Sequence, residues 1–323
     1  MFIVTGAAGF IGSAILAKLN ELGINDSIIV DWMQGEDDPK AKNIVNKKYS
    51  KYLDKDELLD LISKDQIDSS VDCLIHMGAC SSTTLQDAEH FRTNNLEYTK
   101  TLAYWALKNN VRFIYASSAA TYGAGEVGYK DDDETILKCK PLNLYGQSKQ
   151  DFDISVFEHG HLDKMVGLKF FNVFGPNEYH KNDMRSVVAK TYKTVVKEGK
   201  IKLFKSYKPE YADGEQKRDF IYVKDAVDMV MFFVENRDIC GIFNVGTGNA
   251  RTWNDLANAL FKAAGKESNI EYFPMPESLK ARYQYFTEAD MSKIRSCGYD
   301  KPFTSLEDAI CDYVSYLKDK SYW

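Results

Sequence analysis

At 323 residues, with 44 % hydrophobic and 27 % charged residues, the chain has the make-up of an ordinary soluble globular protein, one large domain or two interleaved ones. A net charge of -6 and a pI near 5.5 argue against a broad polyanion-binding surface and so against a nucleic-acid partner, while leaving room for a local basic cluster around a small anion. No apolar run approaches the roughly 20 residues that span a bilayer, and "MFIVTG" enters a strand with no basic leader before it, so the expectation is a cytoplasmic protein with no membrane partner.

In chain order, short β-branched or apolar runs alternate with amphipathic stretches. "FIVT" precedes an expected helix over Phe10–Leu22, "SIIVD" one over Glu57–Ser63, and "DCLIHM" one from Asn94 to Lys108. "RFIYAS" precedes an expected helix over Leu144–Glu158, and "VGLKFFNV" closes the series. Strands alternating with helices make right-handed βαβ units and a parallel sheet, and their near-continuous apolar character fits strands covered on both faces. After Pro176 the rhythm changes to short strands such as "IKLF", "DFIYV" and "GIFNV", with helices expected near 187–197, 225–236, 253–264 and 305–317. The polar stretch "KSYKPEYADGEQKRDF" reads as a flexible loop. The expected fold is α/β: a Rossmann-type doubly wound parallel sheet with a smaller C-terminal α/β substrate lobe. The boundary is drawn between a dinucleotide-binding domain over 1–175 and a mainly substrate-binding lobe over 176–323, with some segments of the latter returning to the former.

The six cysteines are scattered without a C-x-x-C pair, which suggests neither a zinc site nor a disulfide framework. His159 and His161 of "HGH" have no third ligand in view and read as a turn after a helix, so no metal is assigned.

"TGAAGFIG" sets Gly6, Gly9 and Gly12 three apart, directly after the first strand and at the start of a helix. Glycines there permit a tight turn and close backbone approach, and the helix N-terminus offers free N–H groups to a pyrophosphate. Asp31, ending the second strand, can accept hydrogen bonds from an adenine-ribose diol, which by itself favours NAD. Lys40, Lys42 and Lys55 lie downstream, where a basic side chain could meet the 2′-phosphate of NADP, so spacing leaves both cofactors open.

"PLNLYGQSKQ" places Tyr145 and Lys149 four residues apart, on one face of a helix. A phenol with an ordinary pKa near 10 is a poor base at neutral pH, and a neighbouring ammonium that favours the phenolate makes it a usable one. "YASSAATYG" supplies Ser117 and Ser118 at the carboxyl edge of the sheet, where open α/β sheets bind ligands, and Ser118 could orient a substrate hydroxyl with Tyr145. The bland readings, a surface helix pair and a turn-capping serine, weaken when glycine loop, serine and Y-x-x-x-K occur in this order.

With these motifs in hand the chain resembles the extended short-chain dehydrogenase/reductases of the nucleotide-sugar epimerase and dehydratase group, over essentially its whole length. Within that group, "GACSSTT", the "HK" after the Gly-Pro turn of "FNVFGPNEYHKND" and "KARYQ" resemble the ADP-L-glycero-D-manno-heptose 6-epimerases more narrowly; "KRDFIYV" and "FNVGTG" are shared more widely. The resemblance implies tightly held NADP that oxidises C6″ of ADP-heptose to a ketone and returns the hydride to the opposite face. It implies Tyr145 as one acid/base, Lys149 lowering its pKa and holding the nicotinamide ribose, Ser118 steadying the reacting oxygen, and Lys181 as the second acid/base. Two bases answer a physical need, since a ketone turned over about C5″–C6″ presents its oxygen in a new place.

The resemblance also sets Gly6, Gly9, Phe10, Ile11, Gly12, Asp31, Trp32, Lys40, Lys55, Met77, Gly78, Ala79, Cys80, Ser81, Asn94 and Val173 along the cofactor, with Tyr145, Lys149 and Lys181. For the substrate it implies Ser118, Asn172, Asp183, Lys190, Phe204, Lys205, Ser206, Tyr207, Arg218 and Tyr283, with Arg218 as the diphosphate partner. Met77 where a glutamate is common, Asp183 in place of a small hydroxyl residue, and a longer loop before Arg218 depart from the family pattern. It further implies a homo-oligomer, commonly a pentamer, and a role in lipopolysaccharide inner-core synthesis. A 4,6-dehydratase is disfavoured by Ala119 and Ala120 where an acidic pair is expected, and a UDP-hexose 4-epimerase has no need of Lys181. A non-catalytic dinucleotide-binding module is the remote alternative.

Overall fold

The structure, a computed structural model, describes residues 1–35, 37–280 and 283–323. Its strands in chain order are β1 (Phe2–Thr5), β2 (Ile28–Asp31), β3 (Lys51–Asp54), β4 (Cys73–His76), β5 (Arg112–Ser118) and β6 (Met165–Phe170). These are followed by β7 (Asn172–Phe174), β8 (Ile201–Phe204), β9 (Lys217–Tyr222), β10 (Gly241–Val245), β11 (Ala250–Thr252) and β12 (Ile270–Phe273). Among the described residues, seven of them make one sheet in the order β10-β6-β5-β4-β1-β2-β3, and every pairing in it is parallel.

Alternate residues of each strand serve opposite faces of this sheet, as the pleat requires. Val4, Ile29, Ile75, Ile114 and Val166 pack with the helices Phe10–Glu21 and Val223–Glu235 on one face. Ile3, Ile28, Val30, Leu74 and Phe113 pack with Leu58, Leu102, Trp105 and Phe152 from the helices Lys55–Ser63, Tyr98–Lys108 and Leu144–Glu158 on the other. Each fully buried aliphatic side chain contributes about 1.5–3 kcal/mol, which is why the strands read as apolar runs rather than alternating ones.

The chain builds β1, β2 and β3 outward in one direction and then returns to place β4 on the other side of β1. This reversal opens a crevice beyond the carboxyl ends of β1 and β4, the standard ligand position in open α/β sheets. The loops after those two strands are Gly6–Gly9 and Met77–Ser81.

Three local expectations change. The run "VGLKFFNV" is two strands, because the main sheet's pairing ends where the Phe171 N–H donates to Val245 O at 3.0 Å. Asn172–Phe174 then satisfies its main chain against β9, so Phe171–Val173 is not a continuous edge of the large sheet. Strand β9 starts at Lys217, two residues before the expected strand "DFIYV", so Lys217 and Arg218 leave the expected loop and pair antiparallel with β11 through Arg218↔Arg251. The helix expected from Asn94 starts earlier, as an α-helical turn over Ala88–Phe91, passes through a π-type segment over Arg92–Glu97 and is α-helical again from Tyr98. β9 sits between β11 and β7, and β12 pairs with β8, so strands after Pro176 make one small sheet among themselves and another with β7, while β10 joins the large one. Among the described residues no helix is long and apolar enough to cross a membrane.

Candidate active site

The glycine loop is a crossing point of two backbones. Gly6 has φ +65°, and a Cβ there would lie 2.7 Å from Gly78 N, so the first loop touches the second only because the side chain is absent. Gly9 N donates to Gly6 O at 2.9 Å, which closes the turn into the helix Phe10–Glu21. No side chain caps that helix, which leaves its first-turn N–H groups available to an anion.

Asp31 closes one end of the crevice. Its carboxylate accepts from Ala8 N at 2.8 Å, Trp32 N at 2.8 Å and Lys40 Nζ at 2.7 Å, and Lys40 also reaches Trp32 O. Lys40 therefore neutralises the aspartate. With Trp32, Lys55, Ala79, Cys80 and Asn94 these residues line a cavity of about 310 Å³. Such a recess with a flat indole, two lysines and a glycine-walled entrance fits the adenosine half of a dinucleotide.

The Met77–Ser81 loop is fixed by a residue that local spacing does not reveal. Asn95, 1 % exposed, accepts from Cys80 N at 2.9 Å and donates to Cys80 O and to Ser148 Oγ, each at 3.0 Å. It lies in the π-type turn, whose extra residue turns the amide inward. His76, fully buried, bridges Thr5 Oγ1 at 2.6 Å and Thr99 Oγ1 at 2.9 Å, and burial and the Lys149 charge hold its pKa well below the ordinary value.

A second cavity of about 470 Å³ continues from the glycine loop toward the sheet edge. Gly6, Gly9, Phe10, Ile11, Gly12, Met77 and Val173 line it together with Ser118, Tyr145, Lys149 and Lys181. Tyr145 and Lys149 share a face of the helix Leu144–Glu158, which Asn143 caps by accepting from Gly146 N at 2.8 Å. Burial raises the Tyr145 phenol above its usual value, and the Ser118 hydroxyl beside it acts in the opposite sense. Burial pulls Lys149 down to about 8, opposed by the Asp153 carboxylate one turn further along.

Lys181 comes from a separate element, the 3-10 segment Tyr179–Met184, with Nζ 5.1 Å from the centre of the Phe10 ring. Burial lowers its pKa, and Glu178 opposes the shift. His180 and Met184 also line this cavity, and neither was anticipated as a contact. Burial and then the charges of Lys181 and Lys40 bring His180 down to about 4, so its ring is neutral at physiological pH.

The residues expected at the substrate divide into two groups. Arg218, 6 % exposed, lies against the rings of Tyr283 at 5.1 Å and Trp253 at 5.9 Å and donates to the carbonyls of Lys217 and Gln284. Among the described residues it has no carboxylate partner within salt-bridge distance, which leaves a buried cation for an anionic ligand to satisfy. Phe204 meets Tyr283 edge to face at 6.3 Å, Ser206 N donates to Asp213, and Tyr207 N donates to Tyr285 Oη at 3.0 Å; Lys205 adjoins them. Asn172, Asp183 and Lys190 are exposed, with Lys190 Nζ donating to Asp183 O at 3.3 Å, and they do not line the two cavities as described. Ala281 and Arg282 of "KARYQ" lie outside the described residues.

Behind the catalytic face lies a polar cluster that the motifs do not include. Lys169 and Asp153 pair at 2.6 Å with both side chains fully buried, and Asp153 also accepts from Tyr115 at 3.0 Å and Ser117 at 2.6 Å. The cluster ties β5 and β6 to the helix that carries Tyr145 and Lys149.

The chain is similar to known proteins over its length. Residues 2–246 match the family described as "NAD dependent epimerase/dehydratase family". The ADP-L-glycero-D-manno-heptose-6-epimerase of Nitratidesulfovibrio vulgaris is 52 % identical over 314 residues, covering 97 % of each chain. That of Fusobacterium nucleatum is 49 % identical over 334 residues, covering 100 % of each. The crystal structure of Helicobacter pylori ADP-L-glycero-D-manno-heptose-6-epimerase superposes with a TM-score of 0.81 at 27 % identity, covering 98 % of this chain and 96 % of that one. The chain belongs to the NAD dependent epimerase/dehydratase family, among its ADP-L-glycero-D-manno-heptose-6-epimerases.

Proposed function

We propose that the protein interconverts ADP-D-glycero-β-D-manno-heptose and ADP-L-glycero-β-D-manno-heptose by transient oxidation at C6″, with Tyr145 and Lys181 as paired acid/bases. The observation that carries this reading is that both side chains, from separate elements, line one cavity of about 470 Å³ that the glycine loop also lines. One group takes the hydroxyl proton as the ketone forms. After the ketone turns over, the other returns a proton to the new hydroxyl. Lowered toward neutrality, a lysine exchanges a proton at a useful rate, and burial supplies that shift at Lys181. Ser118 and Lys149 hold the reacting oxygen and the ribose beside Tyr145, and Arg218 binds the diphosphate.

The glycine crossing and the uncapped helix fit a nicotinamide dinucleotide, which when bound supplies the hydride acceptor and donor. NADP is the form we propose, because Lys40 already neutralises Asp31 and Lys55 stands on the same cavity wall. We further propose a cytoplasmic homo-oligomer, whose mass light scattering measures, serving lipopolysaccharide inner-core synthesis.

The test is proton NMR of each heptose epimer incubated with the purified protein, with the bound cofactor released and identified. Formation of the same epimer mixture from either side, with NADP released, is the expected outcome. Retained cofactor with no interconversion of either epimer overturns the reading, and released NAD overturns the cofactor choice.

A further inference from the structure

Lys181 sits on a short irregular segment, and the side chains that hold that segment come from the cofactor side of the crevice. Asn43 ends the 3-10 helix Pro39–Asn43, three residues after Lys40, and is 2 % exposed. Its Nδ2 donates to Ala8 O at 2.8 Å, inside the glycine loop, and to Asn177 O at 3.1 Å, four residues before Lys181. The same nitrogen lies 3.2 Å from His180 Nδ1.

Asn177 completes the attachment. It has φ +77° and is fully buried; its side chain donates to Ser13 Oγ at 3.1 Å, on the glycine-loop helix, and to Trp323 O at 3.0 Å. Lys181 N then donates to Glu178 O at 3.1 Å, so the lysine leaves the segment one turn after this anchor.

We propose that Asn43 is a positioning residue for Lys181: one buried amide joins the segment that holds the cofactor's ribose end to the segment that carries the second base. The physical reason is economy of register. A 3-10 segment with a residue at φ +45°, Asn182, has little regular hydrogen bonding of its own to place a side chain. Two donors from one amide, to backbone on either side of the crevice, supply the missing reference. Lys40, on the same short helix as Asn43, contacts Asp31 at the end of β2, so occupation of the ribose site and the location of Lys181 are linked through Asn43.

This inference rests on the two-base reading, and its test separates the two. Reduction of the bound nicotinamide is followed by absorbance in a single turnover, started from each ADP-heptose epimer in turn. If Lys181 serves one epimer and Tyr145 the other, Lys181→Met slows reduction by one epimer selectively. Asn43→Ala, with cofactor retained, is expected to slow that same epimer about a hundredfold and the other less than about threefold, the scale of an ångström-sized misplacement of a reacting group. Equal slowing of both epimers by Asn43→Ala, beside a selective Lys181→Met, assigns Asn43 a merely structural role and overturns the proposal. No selectivity in Lys181→Met overturns the two-base reading and the proposal with it. Should Asn43→Ala fail to fold, Asn43→Asp, which keeps the size and removes the N–H donors, reads the same ratio.

Discussion

At the scale of single residues, burial is the largest influence on the proton affinities of the proposed catalytic groups. Lys149 is 4 % exposed, and burial brings it to about 8 from an ordinary 10.5. Between those values the unfolded chain holds a proton that the folded chain has released, so stability contributed through Lys149 rises with pH over that window. Below about pH 8 the penalty for burying the ammonium is fully present. The urea midpoint of the wild-type protein is therefore expected to gain on that of Lys149→Met as pH increases from 8 to 10; a constant difference across that range contradicts the assignment. Tyr145 and Lys149 were legible in the sequence because their relation is a four-residue spacing on one helix. Asn43, Asn95 and Asn177 were not, since each acts on partners brought near only by the fold; the Asn177–Ser13 contact spans 164 positions.

Among elements, the junction of β5, β6 and the helix Leu144–Glu158 sets where the catalytic side chains stand. Lys169 and Asp153, fully buried and 2.6 Å apart, fasten it, and each has further partners in Thr121, Tyr115 and Ser117. Removing one partner leaves the other charge in the interior. Asp153→Ala is expected to cost about 3–5 kcal/mol in urea unfolding, whereas Lys64→Ala, which breaks a solvent-exposed pair, costs well under about 1 kcal/mol. Similar losses for the two contradict the role given to the buried pair. The parallel strands of this junction were legible as apolar runs between helices. The split of "VGLKFFNV" at Phe171 was not, because both halves are equally apolar and only the end of β10 decides where pairing stops. Likewise Lys217 and Arg218 looked like loop because these polar residues are held by pairing with β11 and not by an apolar pattern.

On the scale of the whole molecule, the large sheet and its helices supply the cofactor crevice and Tyr145, while the chain beyond β7 brings Lys181 to the same cavity and Arg218 to an aromatic recess. The alternation of strands and helices makes the first part readable from sequence, because a parallel sheet covered on both faces leaves a composition signature in every strand. The second part has shorter strands and polar loops, and there the expected contacts of Asn172, Asp183 and Lys190 rest on resemblance alone. In the proposed mechanism, two proton carriers on separate structural units each keep a fixed position while the sugar turns between them.

The most direct test of this arrangement is proton NMR of ADP-D-glycero-β-D-manno-heptose incubated with Lys181→Met protein that retains its fold and bound cofactor. Loss of conversion to the L-glycero epimer, by about a hundredfold or more in rate, is the expected result for a missing acid/base. Turnover close to that of the wild-type protein contradicts the two-base account.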